Sequence, residues 1–141
     1  MATRTSLLVR RCATLVAAAA LTAVTGALPA NAAVVHPNSS GGGCRTASGS
    51  PSIEGCLSAS GQWLEPDAYI INNSGCQSAE IIVHDVTADD VQEDVTFSCS
   101  LGHHGPYPVI GVNGHTYYTL AVIHGANLDT FVASPNLTLS F

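Results

Sequence analysis

The chain has 141 residues, with ten acidic side chains against four basic ones and a formal net charge of −6. Three of the four basic residues, Arg4, Arg10 and Arg11, lie at the very start, so residues 33–141 keep Arg45 alone against all ten acids, 1 − 10 = −9, with no lysine. A surface of that sign argues against nucleic-acid backbones and anionic membranes, both of which are held by Lys and Arg, and it favours solubility.

Arg4, Arg10 and Arg11 precede an apolar run, Ala13–Ala23, and Ala30-Asn31-Ala32 follows. A basic start, a short apolar run and a small-residue exit form a secretory signal peptide over residues 1–32, with cleavage expected after Ala32. A membrane anchor is the rival reading, but the run is short for a span and ends in Gly26, Pro29 and Asn31. Arg10-Arg11 lacks the apolar consensus of a twin-arginine signal. The chain runs to Phe141 without a sorting signal or hydrophobic tail. The expected product is secreted, extracellular and freely released.

Residues 33–52 are rich in Gly and Ser, a linker composition with little to bury. They are expected to form a flexible N-terminal segment before a domain at 53–141. Expected strands are Ile53–Ala59, Ala68–Asn72, Ala79–Thr87 and Val95–Leu101, with a turn at Ala88-Asp89-Asp90. In the fourth strand Val95, Phe97, Cys99 and Leu101 share one face, the alternation of a half-buried strand. Gly102–Pro106 reads as a loop. Asn113-Gly114 then stands between two β-branched and aromatic runs, which predicts a type I′ hairpin of Val109–Val112 with His115–Ile123. Pro108 would limit the first arm, because it has no N–H for a ladder. Thr130–Ala133 and Leu137–Ser140 complete the pattern, with Leu137, Leu139 and Phe141 on one face. No helical period occurs. The fold class is all-β, a small antiparallel β-sandwich (Ig-like) of about eight short strands.

Cys44, Cys56, Cys76 and Cys99 follow the signal segment, and an even number in a small secreted chain implies two disulfides and no free thiol. Metal ligation by cysteine finds no C-x-x-C support. Four cysteines allow three connectivities. A turn near Asp89-Asp90 would set Cys99 opposite Glu80 or Ile81, too far along for direct bonding to Cys76. Pairing of neighbours, Cys44–Cys56 with Cys76–Cys99, therefore needs Cys76 to curl back across Asn73–Gly75. It is favoured because short loops close most readily.

Trp63 is the single tryptophan, bracketed by Gly61 and Pro66, and is expected in a turn. It is either a packing residue or an exposed anchor for a partner. His103, His104 and His124 could together hold copper or zinc, since the predicted register carries His103 toward His124. The competing reading makes them polar loop and strand-end residues, and metal is not expected. His84 and His115 are expected on a solvated face. Asp85, Asp89, Asp90, Glu93 and Asp94 surround one turn without calcium-loop spacing, and read as a solvated acidic turn that keeps a hairpin from pairing with other chains. No nucleophile elbow, zinc-protease motif or phosphate loop is present, so no enzyme and no cofactor are expected.

Cys56-Leu-Ser-Ala-Ser-Gly-Gln-Trp63, Ser74-Gly75-Cys76, an acidic β-rich hairpin and Cys99 together resemble the tendamistat-type proteinaceous α-amylase inhibitors of actinomycetes. The resemblance covers about a third of the chain, and the spacing from Cys56 to Trp63 is its most specific feature. It implies a small secreted β-sandwich that inhibits a hydrolase through the turn bearing Trp63, Leu64 and Glu65. The family's inhibitory triplet is Trp-Arg-Tyr, whereas Leu64 and Glu65 follow Trp63 here. It also implies a disulfide Cys56–Cys76, which leaves Cys44 for Cys99. The expected function is thus a monomeric binding protein, in its most concrete form an inhibitor of an extracellular hydrolase. A metal-binding module and a structural or surface-associated protein without a discrete site are the alternatives.

Overall fold

A computed structural model describes residues 39–141. The expected signal segment and its expected cleavage point lie outside them. Eleven strands form: β1 (Ser40–Gly41), β2 (Gly43–Ala47), β3 (Ser52–Ser60), β4 (Trp63–Asn72), β5 (Cys76–Asp85), β6 (Asp90–Phe97), β7 (Gly102–His104), β8 (Val109–Ile110), β9 (Thr116–Gly125), β10 (Thr130–Ala133) and β11 (Leu137–Thr138). They make two antiparallel sheets. Sheet A runs β1-β11-β9-β5-β6, with β10 also on β9; sheet B runs β2-β3-β4-β7, with β8 also on β4. The all-β sandwich is as the alternation indicates. The three strands beyond the expected number are β1 and β2, in the segment expected to be a linker, and β7, in the segment expected to be a loop.

Period-two alternation puts one side of each sheet inside. Ile53, Ala68 and Ile70 of sheet B meet Ala79, Ile81, Ala121, Ile123 and Val132 of sheet A in one cluster. Leu57, Leu64, Val83, Val109, Tyr117, Leu137 and Leu139 form the second. Burying a branched or aromatic side chain of this kind stabilises by roughly 1.5–3 kcal/mol. Leu137 and Leu139 are buried as their shared face requires, but Phe141 is exposed.

The Gly/Ser-rich segment departs from linker behaviour within its described part. β1 pairs with β11 in sheet A, and β2 pairs with β3 in sheet B from Gly43↔Leu57 to Ala47↔Ile53. One extended segment therefore crosses between the two sheets. The crossing needs glycine. Gly41 and Gly42 have φ of 88° and 78°, and a Cβ on Gly42 would stand 2.6 Å from the Leu57 carbonyl oxygen. The composition that reads as flexibility serves a tight passage between layers.

The Asn113-Gly114 hairpin does not form. β8 pairs with β4 through Trp63↔Ile110 and Leu64↔Val109. Both edges of β9 are already occupied, by β5 on one side and by β10 and β11 on the other. The turn instead carries the chain from sheet B to sheet A, closed by a bond from the His115 N–H to the Val112 carbonyl at 3.1 Å. Gly114 has φ of 84° while Asn113 has no positive φ, the pattern of a type II turn rather than type I′.

Gly102–His104 is strand β7 rather than loop, paired with Ala68–Ile70. β6 stops at Phe97, and Leu101 is exposed instead of sharing its buried face. Pro66 sits inside β4 because its missing donor faces the gap between β7 and β8. Its carbonyl, which points the same way, accepts from Tyr107 N–H at 3.0 Å.

The disulfides are Cys44–Cys56 and Cys76–Cys99. The pairing implied by the inhibitor resemblance is not formed. Cys44 and Cys56 are direct cross-strand partners of β2 and β3. For the second bond, the register differs from the expected one. The turn lies at Val86–Asp89 and a bulge at Val83/His84 shifts the ladder, so Ala79 faces Phe97. Cys99 then falls beside Cys76, with a Cα separation of 6.0 Å, and no curl is needed.

Candidate functional site

β4 is the spine of the outer face of sheet B. Leu64, Pro66, Ala68 and Ile70 point inward, so Trp63, Glu65, Asp67, Tyr69 and Ile71 point out. The Trp63-Leu64-Glu65 triplet is therefore divided by the sheet: Leu64 is fully buried and cannot touch a partner. Trp63 opens β4 rather than sitting in the turn, opposite Ser60 on one side and Ile110 on the other. Trp63 is 42% exposed and Ile110 56%, which makes an apolar pair on the surface. Glu65 accepts from the Ser58 hydroxyl at 3.3 Å.

Further along β4, Asp67 and Tyr69 border a surface cavity of about 310 Å³ with Gly43, Cys44, Cys56 and Ser58. His103, opposite Tyr69 on β7, stacks on its ring at a centroid distance of 4.7 Å. The same imidazole lies 3.3 Å from Asp67 Oδ2. Asp67 Oδ1 is buried and has no hydrogen-bond partner among the described residues.

The three candidate metal histidines are not brought together. His103 and His104 are on β7 in sheet B, whereas His124 is on β9 in sheet A. His104 stacks on Phe97 at 4.4 Å and donates to the Ser100 carbonyl at 2.7 Å. His124 stands between Glu80 at 3.2 Å and Asp129 at 3.3 Å. Partial burial pulls the His124 pKa down, but the two carboxylates outweigh it and leave it raised. Among the described residues the one close set of three His, Cys, Asp or Glu donors is Cys44, Glu54 and Cys56. Its sulfurs are spent in a disulfide, so it offers no thiolate.

Of the acidic turn, Asp89 is solvated, but Asp85 is not: its side chain is 1% exposed. Asp85 Oδ1 accepts the N–H groups of Thr87 and Ala88 at 2.9 and 3.0 Å, and Oδ2 lies 2.7 Å from His115 Nδ1. Burial pushes this carboxyl up, yet the bonds from His115, Ala88, Tyr117 and Thr87 hold it below its ordinary value. Tyr117, fully buried, accepts from the Val112 N–H at 2.7 Å. Burial and the neighbouring Asp85 charge raise its pKa. This network locks the Val86–Asp89 turn to the Val112–His115 turn. Strand parity could have found it, since Asp85 continues the inward row Ala79, Ile81, Val83.

The chain matches no protein-family model, no curated protein and no solved structure. The fold itself defines a small disulfide-stapled antiparallel β-sandwich.

Proposed function

We propose that this is a secreted, non-enzymatic binding protein that presents the outer face of sheet B to a protein partner, and that the partner is an extracellular hydrolase which it inhibits. The observation that carries the reading is the exposed Trp63–Ile110 pair across β4 and β8. Exposed apolar side chains gathered in one place mark interaction surfaces, and tryptophan is enriched at their energetic centres. Two disulfides suit an oxidising extracellular compartment. The Asp85–His115 pair is engaged in holding two turns, and the hydroxyl bonded to it, that of Tyr117, is fully buried and out of a substrate's reach.

The test is titration of purified protein into a panel of secreted hydrolases. Saturable one-to-one inhibition of a panel member is expected, weakened by about thirtyfold in Trp63→Ala, the effect of removing a hot-spot residue. Inhibition that is equally strong in Trp63→Ala would refute the face as the contact surface.

A further inference from the structure

The cavity beside the Cys44–Cys56 disulfide has a composition of its own. It is walled by Gly43, the disulfide, Ser58, Asp67 and Tyr69. One face of the Tyr69 ring is covered by His103, while the residue also borders the cavity. Asp67 shares one oxygen with His103 and keeps the other buried without a partner. A carboxylate withdrawn from water and only half compensated gains more than an exposed one from a nearby cation.

The surroundings have the same sign. Glu54 faces Tyr69 across β3 and β4, and Glu65 faces Ser58. Arg45, the one arginine among the described residues, alternates with Cys44 and Thr46 and so lies on the other side of β2. The face thus has three carboxylates, an aromatic ring and a cavity, with no arginine or lysine.

We propose that this cavity receives an arginine side chain of the protein partner, with Asp67 as the counter-charge and Tyr69 as the surface on which the guanidinium lies. Arginine fits both features at once: its guanidinium carries a permanent charge to set against a carboxylate, and it stacks on aromatic faces. The proposal rests on the reading of the outer face as the contact surface, and it names the partner's chemistry: an exposed arginine next to an apolar site that takes Trp63.

Acetyl-arginine amide and acetyl-citrulline amide, similar in shape and different in charge, provide the test. Each is titrated into the purified protein while backbone amide shifts are recorded. The expected result is saturable shifts at Gly43, Ser58, Asp67 and Tyr69, with binding of the arginine derivative about tenfold tighter than that of the citrulline derivative, as a charge-assisted pair requires. Asp67→Asn removes the preference while the protein stays folded. Equal responses to the two probes, or a preference that persists in Asp67→Asn, would overturn the proposal. Trp63 does not line the cavity, so the two readings fail separately. Hydrolase inhibition that resists Trp63→Ala removes the contact surface, whereas a missing arginine preference removes only this occupant.

Discussion

Asp85 and Asp67 are both carboxylates drawn out of water, and each meets a histidine. Asp85 is saturated: its two oxygens take two backbone N–H groups and His115, and its side chain is 1% exposed. Asp67 is 23% exposed, meets His103 at 3.3 Å and leaves Oδ1 without a partner. The first arrangement joins two turns and belongs to the stability of the sandwich. The second adds little to the fold and keeps unspent charge at the edge of a cavity. Buried polar groups are normally satisfied, so an unsatisfied one beside an open site is the place to look for a ligand.

The contrast is sharpest in stability. Asp85→Ala is expected to cost about 3 kcal/mol, because it leaves buried N–H groups and His115 without their acceptor. Chemical denaturation measures it, and a loss below about 1 kcal/mol would dissolve the distinction between the two carboxylates. Gly42→Ala is expected to cost on the order of 2 kcal/mol, through positive φ and contact with the Leu57 carbonyl. That checks whether the crossing between sheets is as tight as described.

Acid should next expose the contribution of Asp85. The folded pKa of Asp85 is lowered, so between the folded and unfolded values the unfolded chain binds more protons. Its contribution is complete above the ordinary carboxyl range, near about pH 4, and is lost as pH falls through the folded value. Melting temperature should therefore drop on acidification, and the drop should be smaller in Asp85→Asn. His124 works in the opposite sense. Its folded pKa is raised, so its contribution is full below the unfolded value of 6.5 and fades as pH rises through the folded one. Smallest of all is Asp67→Asn, expected to change stability by no more than about 0.5 kcal/mol, since it removes one long, part-exposed contact.

Much of this sandwich can be read in its sequence. Alternation locates β3, β5 and β10, and short-loop closure favours the disulfides that form. The failures have physical causes. Asn113-Gly114 is a sound turn signal, but local chemistry cannot say that both edges of β9 are filled, and that is what sends β8 to β4. Gly41, Gly42 and Gly43 look like a linker because composition does not distinguish freedom from a backbone conformation only glycine adopts. Sequence proximity groups Leu64 with Trp63 as a binding residue, although parity along β4 divides them. Sequence proximity likewise groups Asp85 with the solvated acids, although parity along β5 turns it inward. Both errors come from reading neighbours in sequence as neighbours on a surface. Asp67 and His103 lie 36 residues apart, and only the pairing of β7 with β4 brings them together.

Trp63→Ala bears most directly on the outer face of sheet B as a recognition surface. The melting temperature and the inhibition of a responsive hydrolase are to be measured on the same sample. The account predicts a melting temperature within a few degrees of the parent, roughly the effect of a 1 kcal/mol change or less, together with inhibition weakened about thirtyfold. A variant that melts far below the parent yet inhibits the hydrolase with undiminished affinity would contradict it, because Trp63 would then be a packing residue and not an anchor.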